Sequence, residues 1–299
     1  MTASTGSFSY GHLASRESLW DQIKDLDVIE SYVTSNAAKV DVTNKIHAWP
    51  QDPITATSSQ AGTVELTDTS YVAANPTLLY NTTQIIEKGV RVTATLQNTK
   101  MAGFADKFAR EQLKKMKEWK NQLEFSAVAG AMTTGTGTAA RTMQGIAGFA
   151  STLATTQGSS VSLTSDMLNS YLGNAWEAGD NHDTILVGRT LKERISAFTS
   201  GNTRNIEAKA AELVGRVDVY DSDHGRVEIV KHRYVNNITG TVTNTLVSYI
   251  KDYVQVGFMD EPHFEDRAQT GYFKSGAIVG EATMQVDNEL AVQCVKLLS

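Results

Sequence analysis

A segment rich in glycine and threonine is the first place where this sequence could do chemistry. Gly135, Gly137 and Ala140 follow the spacing GxGxxA, which in dinucleotide-binding proteins lets a phosphate approach the backbone between a strand and the start of a helix. Here the segment follows a predicted helix, so the strand that the motif requires is missing. We therefore interpret it as a turn that is flexible or faces a second subunit.

A short acidic segment that contains a histidine is the second candidate. Asp221, Asp223 and His224 could ligate a metal ion, but they lie at the predicted tip of a hairpin, where Asp and Gly are the usual turn formers. His224 and His232 could share one face of that hairpin, yet a pair without a third ligand is weak support for zinc. We predict no metal site here.

The other reactive side chains have simple structural interpretations. Asp260 and Glu261 could act as acid and base, but adjacent carboxylates are expected by chance among 33 acidic residues. The basic stretch Lys114–Lys120 could touch nucleic acid, but its spacing favours a solvated helix face, and Cys294 lies in an apolar run that favours a buried thiol. The local signatures GxSxG, HExxH and the P-loop are absent. We predict no catalytic, cofactor-binding or metal-ligating residues, and no enzyme activity.

The composition excludes several classes of protein. The 299 residues are 41% hydrophobic and 20% charged, as in a globular protein with a core. A net charge of -6 lacks the basic excess of strong nucleic-acid binding, and a single cysteine excludes intrachain disulfides. The polar N-terminus and the lack of a long apolar stretch predict no secretion signal and no membrane span, so we expect a protein made in the cytoplasm.

The first third of the chain contains two segments that cannot form a core alone. Residues from Met1 to about Ser15 indicate an extended arm, and the sequence up to Val33 suits one or two short helices. From Lys45 to Lys88, small polar residues, prolines and short β-prone runs alternate, and no Lys or Arg occurs between these two lysines. The pattern predicts a long hairpin that is stable only when it lies on another surface.

The rest of the chain predicts an α+β fold. A long amphipathic helix is predicted over residues 104–131, and residues 164–198 predict a helix with Trp176 on its apolar face, a strand and a second helix. A β-hairpin around the turn Ser222–Gly225 and further strands complete the sequence. The apolar face of the long helix is predicted to contain Phe104, Phe108, Leu113, Met116, Trp119, Leu123 and Ala127.

The order of these segments resembles the Hong Kong 97 type fold of tailed-phage major capsid proteins and encapsulins. The segments that carry the resemblance are LEFSAVAGAMTTGTGTAARTMQGIAGFAST, with its Arg-x-x-x-Gly-Ile element, LTSDMLNSYLGNAWEAGDNHDTILVGRTLKERISAF, VDVYDSDHGRVEIVKHRYV and GYFKSGAIVGEATMQVDNELAVQCVKLL. The resemblance covers nearly the whole chain. It implies an N-terminal arm over 1–45, an extended loop over 46–88, a peripheral domain over 89–150 and 245–299, and an axial domain over 151–244.

The resemblance also implies a function and partners. The chain is expected to assemble as pentamers and hexamers into an icosahedral head that encloses double-stranded DNA without reading its sequence. Expected partners are further copies of the chain, a separate scaffolding protein, a portal and an optional decoration protein, with no membrane and no cofactor. Some relatives crosslink a lysine of the extended loop, which this loop lacks, so we expect a non-covalent shell.

Three other interpretations remain open from the sequence. An encapsulin-like compartment would share the fold and enclose protein instead of a genome. An enzyme could have catalytic residues that are distant in sequence within the α/β lobe. An adhesin or tail fibre fits the segments rich in Thr and Gly but does not fit the long charged helix.

Overall fold

A computed structural model describes residues 30–52, 62, 64–66, 68, 75–99, 106–158, 161–179, 181–198, 218–238 and 244–297. The predicted arm and its first helix, up to residue 29, and the N-terminal end of the predicted long helix, with Phe104, lie outside the described residues. The mixed α and β content agrees with the predicted fold class.

A four-stranded sheet forms one side of the protein. Its strand order is β1-β10-β11-β4, and β1 is parallel to β10 whereas the other pairs are antiparallel. The long strands β10 and β11 form a hairpin, so most of this sheet is built from the C-terminal part of the chain. The strands are β1 (Ala38–Asp41), β4 (Gln84–Thr93), β10 (Val254–Asp266) and β11 (Phe273–Val286).

The predicted long helix, α3 (Lys107–Ala129), packs on this sheet. Asp106 begins it by accepting hydrogen bonds from the backbone N–H groups of Phe108 and Ala109, which have no partner inside the helix. Trp119 is buried and its Nε1 donates to the Ile86 carbonyl at 2.9 Å. The prediction for Leu113 was wrong, because this residue lies about a third of a turn away from Trp119 and its side chain is 68% exposed.

A six-stranded sheet forms the other side, with the order β5-β12-β9-β6-β8-β7. The predicted helix, strand, helix and hairpin of the α/β lobe are all present around it. The strands are β5 (Ala154–Thr156), β6 (Thr184–Val187), β7 (Val219–Ser222), β8 (Gly225–Lys231), β9 (Asn244–Tyr249) and β12 (Val292–Leu297), and the helices are α5 (Ser165–Ala178) and α6 (Arg189–Phe198).

One detail of this lobe differs from the sequence prediction, and another bears on the domain bounds that the resemblance implies. Strands β9 and β12 lie in the six-stranded sheet, whereas those bounds place residues 245–299 with the long helix. β9 fits there because it pairs with both β6 and β12 and is buried along most of its length. Trp176 was predicted on the apolar face of α5 but is 58% exposed, since Leu168, Tyr171, Leu172 and Ala175 already fill that face.

A separate two-stranded hairpin precedes β4. Its strands β2 (Ile46–Gln51) and β3 (Thr77–Thr82) are antiparallel, and they form the root of the predicted long hairpin. Lys88, the predicted end of that segment, lies within β4, so the chain has already joined the four-stranded sheet at Gln84. The described residues also form three short α-helices, α1 (Tyr32–Asn36), α2 (Ala94–Asn98) and α4 (Ile146–Phe149), and short 3-10 turns.

The two sheets share one main core. Buried Trp119 of α3 and Met284 of β11 belong to the same apolar cluster as Leu186 of β6 and Val247 of β9. A second cluster, which includes Leu168 and Ile195, fixes α5 and α6 to the six-stranded sheet. Among the helices that the structure describes, none is long and apolar enough to cross a membrane.

Candidate functional site

The glycine-threonine segment forms a turn after α3, as the sequence predicted. Gly135 has a φ of +70°, which favours glycine, and the Thr136 N–H donates to the Ala139 carbonyl at 2.9 Å. Thr133 and Thr142 pair across the base of the turn. The segment therefore has the geometry of a closed loop between two threonines and does not connect a strand to a helix.

The residues considered as metal ligands are not brought together. Asp223 and His224 form the two-residue turn between β7 and β8, and the ring of His224 lies 6.3 Å from that of Trp176. His232 is buried elsewhere, against Glu124. In the part of the chain that the structure describes, no three His, Cys, Asp or Glu side chains are grouped so that they could hold a metal ion.

The remaining candidate side chains lie apart from one another. Asp260 and Glu261 are exposed on β10, beside His263, whose pKa is raised mainly by a hydrogen bond to the Glu261 carbonyl. On α3, Lys115 pairs with Glu118 at 2.7 Å, as in a solvated helix face. Cys294 is buried in β12, and burial raises the pKa of its thiol to about 11. This thiol belongs to the core.

An open cleft of about 690 Å³ lies in the α/β lobe, between α6 and β8. Its walls contain the pair Lys192–Asp218 at 3.4 Å and the pair Arg189–Glu193 at 2.9 Å. Lys192 also donates to the Ile229 carbonyl at 2.6 Å. The contacts of Lys192 fix α6 to the sheet, and the charges of these four side chains are paired with each other.

The root of the long hairpin is fixed by one buried amide. Asn81 of β3 is fully buried, and its Nδ2 donates to the carbonyls of Met284 at 2.8 Å and Gln144 at 3.0 Å. Its Oδ1 accepts from the N–H groups of Gln144 and Thr82, both at 2.8 Å. One side chain thus satisfies four backbone groups from three segments, which fixes where the hairpin leaves the sheet.

A salt bridge lies beside this amide. The guanidinium of Arg141 pairs with the carboxylate of Glu281 on β11, and its Nε donates to the Thr83 carbonyl at 3.0 Å. The hydroxyl of Thr83 donates to the same carboxylate. Arg141 begins the Arg-x-x-x-Gly-Ile element noted in the sequence, so this element joins the turn after α3 to the hairpin root.

The inner face of the hairpin is held by aromatic and amide side chains. Trp49 is buried, and its Nε1 donates to the Val286 carbonyl at 2.8 Å. His47 contacts Gln285 at 2.7 Å, and Gln51 donates to Asn288 at 2.8 Å. The hairpin therefore rests on the end of β11 through alternate residues of β2, as the period of a strand requires.

A buried carboxylate holds α1, which lies in the C-terminal part of the predicted arm (1–45). Glu124 of α3 accepts from the N–H groups of Val33 at 2.8 Å and Thr34 at 2.9 Å, and from the Thr34 hydroxyl at 2.6 Å. These N–H groups belong to the first turn of α1, where helices lack internal acceptors. Glu124 therefore caps a helix that is about 90 residues away in sequence.

His232 completes the environment of this carboxylate. Its Nε2 lies 2.9 Å from Glu124, and its Nδ1 accepts from the Tyr234 N–H at 3.3 Å, so the neutral tautomer with a proton on Nε2 fits both contacts. Burial alone would raise the pKa of Glu124, but the hydrogen bonds from His232, Thr34 and Val33 outweigh it and hold that pKa below its usual value. Glu124 is thus an ionised group inside the core.

Sequence reasoning missed both Glu124 and Asn81. Glu124 lies between Leu123 and Ala127 on the buried side of α3, and a carboxylate at such a position is a signal for a buried partner. Asn81 carries no comparable signal, because the backbone groups that it satisfies come from distant segments.

Shell proteins share this fold. The capsid of the native GTA particle aligns with a TM-score of 0.69 at 8% identity, over 97% of this chain and 98% of that chain. The structure of Phage G gp27 major capsid proteins and gp26 decoration proteins gives 0.60 at 9% identity, over 100% of both chains. The encapsulin SrpI from Synechococcus elongatus gives 0.61 at 11% identity, over 95% of this chain and 92% of that chain. The chain has the predicted Hong Kong 97 type fold, which defines a class of shell subunits.

The sequence assigns the chain to one family within that class. The model of the family described as SU10 major capsid protein matches residues 2–299, so the chain belongs to this family. It is a structural subunit of an icosahedral phage head and a component of the virion. This membership favours the phage head over the encapsulin alternative. No curated protein sequence matches the chain.

Proposed function

We propose that this chain closes the head by exchange of the part of its arm (1–45) that precedes α1 and of its extended loop (46–88) between neighbouring subunits, without covalent crosslinks and without catalysis of its own. The observation that carries the proposal lies in the loop. Its root is fixed to its own subunit by Asn81 and Trp49, whereas Val64 and Leu66, farther along the loop, are 77% and 108% exposed. Apolar side chains that a single chain leaves in water favour burial against a neighbour.

The domains of the subunit follow its two sheets in this proposal. We assign the four-stranded sheet and α3 to the peripheral domain, and the six-stranded sheet to the axial domain around pentamer and hexamer centres. The predicted boundaries therefore change, because β9 and β12 move to the axial domain.

The partners follow from the same assembly. We propose a separate scaffolding protein and a portal, with assembly in the host cytoplasm. A decoration protein is an optional partner, since the similar Phage G structure contains one. The enclosed DNA is retained by the closed wall without sequence reading, in agreement with the net charge of -6.

The test of the non-covalent shell is denaturing electrophoresis of mature heads after boiling. We expect a single band at the 32.5 kDa of the chain, because no lysine is present between Lys45 and Lys88 to act as the loop nucleophile. Ladders of covalent oligomers that survive boiling would contradict the proposal.

A further inference from the structure

Two buried hydroxyl groups of the six-stranded sheet lack a hydrogen-bond partner. Tyr249 of β9 and Thr184 of β6 stand directly opposite each other in the pairing of these strands, so their side chains lie on the same face of the sheet. Both residues are buried, and neither hydroxyl meets a donor or an acceptor among the residues that the structure describes. A buried polar group without a partner destabilises the arrangement that buries it.

The helix α1 lies across this face of the sheet. Glu228 continues the row of side chains on β8, the next strand, and its Oε2 accepts from the Tyr32 hydroxyl of α1 at 3.0 Å. At the other end of the row, Val33 and Ala37 line one narrow space together with Tyr249, and this space leaves no room for a water molecule. The helix therefore spans the row and shields Tyr249 from water.

The contacts that hold α1 on the sheet are mostly polar. The helix has five residues, of which only Val33 is buried. Glu124 binds its first turn, and Lys251 lies 5.7 Å from the ring of Tyr32 while it donates to Glu228 at 2.6 Å. A helix this short is not stable by itself, and segments with few buried apolar contacts open locally at low cost.

The segment around α1 has ends at which it can separate from the rest of the fold. One residue after α1, the strand β1 begins and pairs with β10 over four residues. On the other side of α1, the N–H of Glu30 donates to Asn121 at 3.0 Å, and its carboxylate pairs with Arg233 at 3.4 Å. Residues 30–37 can therefore leave the sheet without breaking a strand pairing of either sheet.

We propose that residues 30–37 form a strap that opens while both sheets stay folded, because opening lets water reach the hydroxyl of Tyr249 and its neighbour Thr184. The eight residues of the open strap span about 26 Å at roughly 3.3 Å per residue. Opening therefore lengthens the part of the arm that reaches a neighbouring subunit. This consequence rests on the arm exchange proposed above, whereas the opening itself does not.

The test of the opening is hydrogen exchange of the free subunit. The amides of Val33, Thr34 and Ala37 are hydrogen-bonded only while the strap is closed, and the amide of Val247 in β9 serves as the reference in the core. We expect the strap amides to exchange at least about a hundredfold faster than the reference. Low urea concentrations should change the strap rates little, because the opening exposes little surface. Equal rates and equal urea dependence at both places would overturn the strap.

The variants Tyr249→Phe and Thr184→Val test the cause of the opening. Each removes a hydroxyl without a partner and changes the shape of the side chain little, so we expect the strap amides to exchange about tenfold more slowly. The matched control is Tyr171→Phe, because Tyr171 is buried and its hydroxyl accepts from Gln157 at 3.0 Å. This control should not slow the exchange of the strap. Exchange that is unchanged or faster in both hydroxyl variants would overturn the proposal.

A failure of the arm exchange is measured separately. Deletion of residues 2–29 removes the part of the arm before the strap, and unchanged head assembly and head stability of this variant would show that the arm is not exchanged. Hydrogen exchange of the strap in the free subunit does not depend on that result.

Discussion

At the scale of single residues, the most informative group is Glu124, a carboxylate on α3 that has no exposed surface. Its two oxygens accept four hydrogen bonds, from α1 and from His232. An isolated buried charge is costly, so its retention here depends on all of these donors. The residue connects α3 to α1 and to the segment that follows β8.

Replacement of Glu124 by Gln should destabilise the free subunit by about 2–4 kcal/mol, because the amide N–H₂ cannot accept from one of the backbone donors of α1. The measurement is urea unfolding of the subunit, together with the rate of proteolysis at residues 30–45. The matched control is Glu118→Gln, an exposed residue on the same helix, for which we expect a change below about 0.5 kcal/mol. Equal stabilities of the two variants would contradict the role of Glu124.

The same carboxylate predicts a pH dependence. Its pKa in the folded subunit is lower than the value of 4.5 expected when unfolded. Its contribution to stability is therefore complete above pH 4.5 and is lost as the pH falls through the folded pKa. Unfolding measured from pH 6 to pH 3 should show a steeper loss for the wild type than for Glu124→Gln, and parallel curves would argue against this assignment.

At the scale of elements, close packing of α3 on β11 depends on a glycine. A side chain at Gly280 would meet the ring of Trp119 at 2.7 Å and the backbone of Pro262 at 3.1 Å, whereas at Gly89 on the neighbouring strand nothing lies within 4 Å. A methyl group therefore fits at Gly89 but not at Gly280, although both residues lie in the four-stranded sheet.

The variant Gly280→Ala should lose about 1–3 kcal/mol through overpacking. Gly89→Ala should be neutral or slightly stabilising, since alanine restricts the unfolded chain. Thermal unfolding of the two variants side by side measures this difference. A loss for Gly89→Ala as large as that for Gly280→Ala would show that helix packing is not the cause.

The hairpin root gives a second prediction at this scale. Asn81→Ala leaves two carbonyls and two N–H groups without their partner, and it should cost on the order of 3 kcal/mol. Limited proteolysis should then cut faster near residues 77–83. Asn75→Ala, an exposed change in the same loop, is the control and should have no measurable effect. An intact hairpin in the Asn81 variant would show that the other contacts of the root, such as that of Trp49, are enough to fix it.

At the scale of the whole molecule, the described part of the subunit has two sheets that share one main core, and a separate hairpin of β2 and β3 forms the root of the long loop. In the proposed exchange, the arm and the loop gain stability from neighbouring subunits, so the energetics of folding and assembly are linked. In this proposal, a separate scaffolding protein holds the first subunits in position until these contacts form.

The purified chain alone should therefore form few closed shells, and addition of the scaffolding protein should increase their number. Electron microscopy of both preparations at the same subunit concentration measures the difference. Efficient assembly of uniform procapsids by the chain alone would refute the prediction of a separate scaffold.

The sequence by itself determined the features that depend on neighbouring residues. The helical period located α3 and α5, and the turn at Asp223 and His224 joined β7 to β8. Local hydrogen bonds and side-chain periodicity suffice for such features. The order of the segments along the chain was also enough to predict that the protein is a shell subunit.

Only the tertiary structure decided which distant segments meet. It assigned β9 and β12 to the six-stranded sheet and made Glu124 the cap of α1. None of these follows from local pattern, because the pairing of strands and the partner of a buried carboxylate depend on contacts between residues far apart in the chain. The absence of lysine from the loop was visible in the sequence, but the contacts that fix the inner face of its root were not.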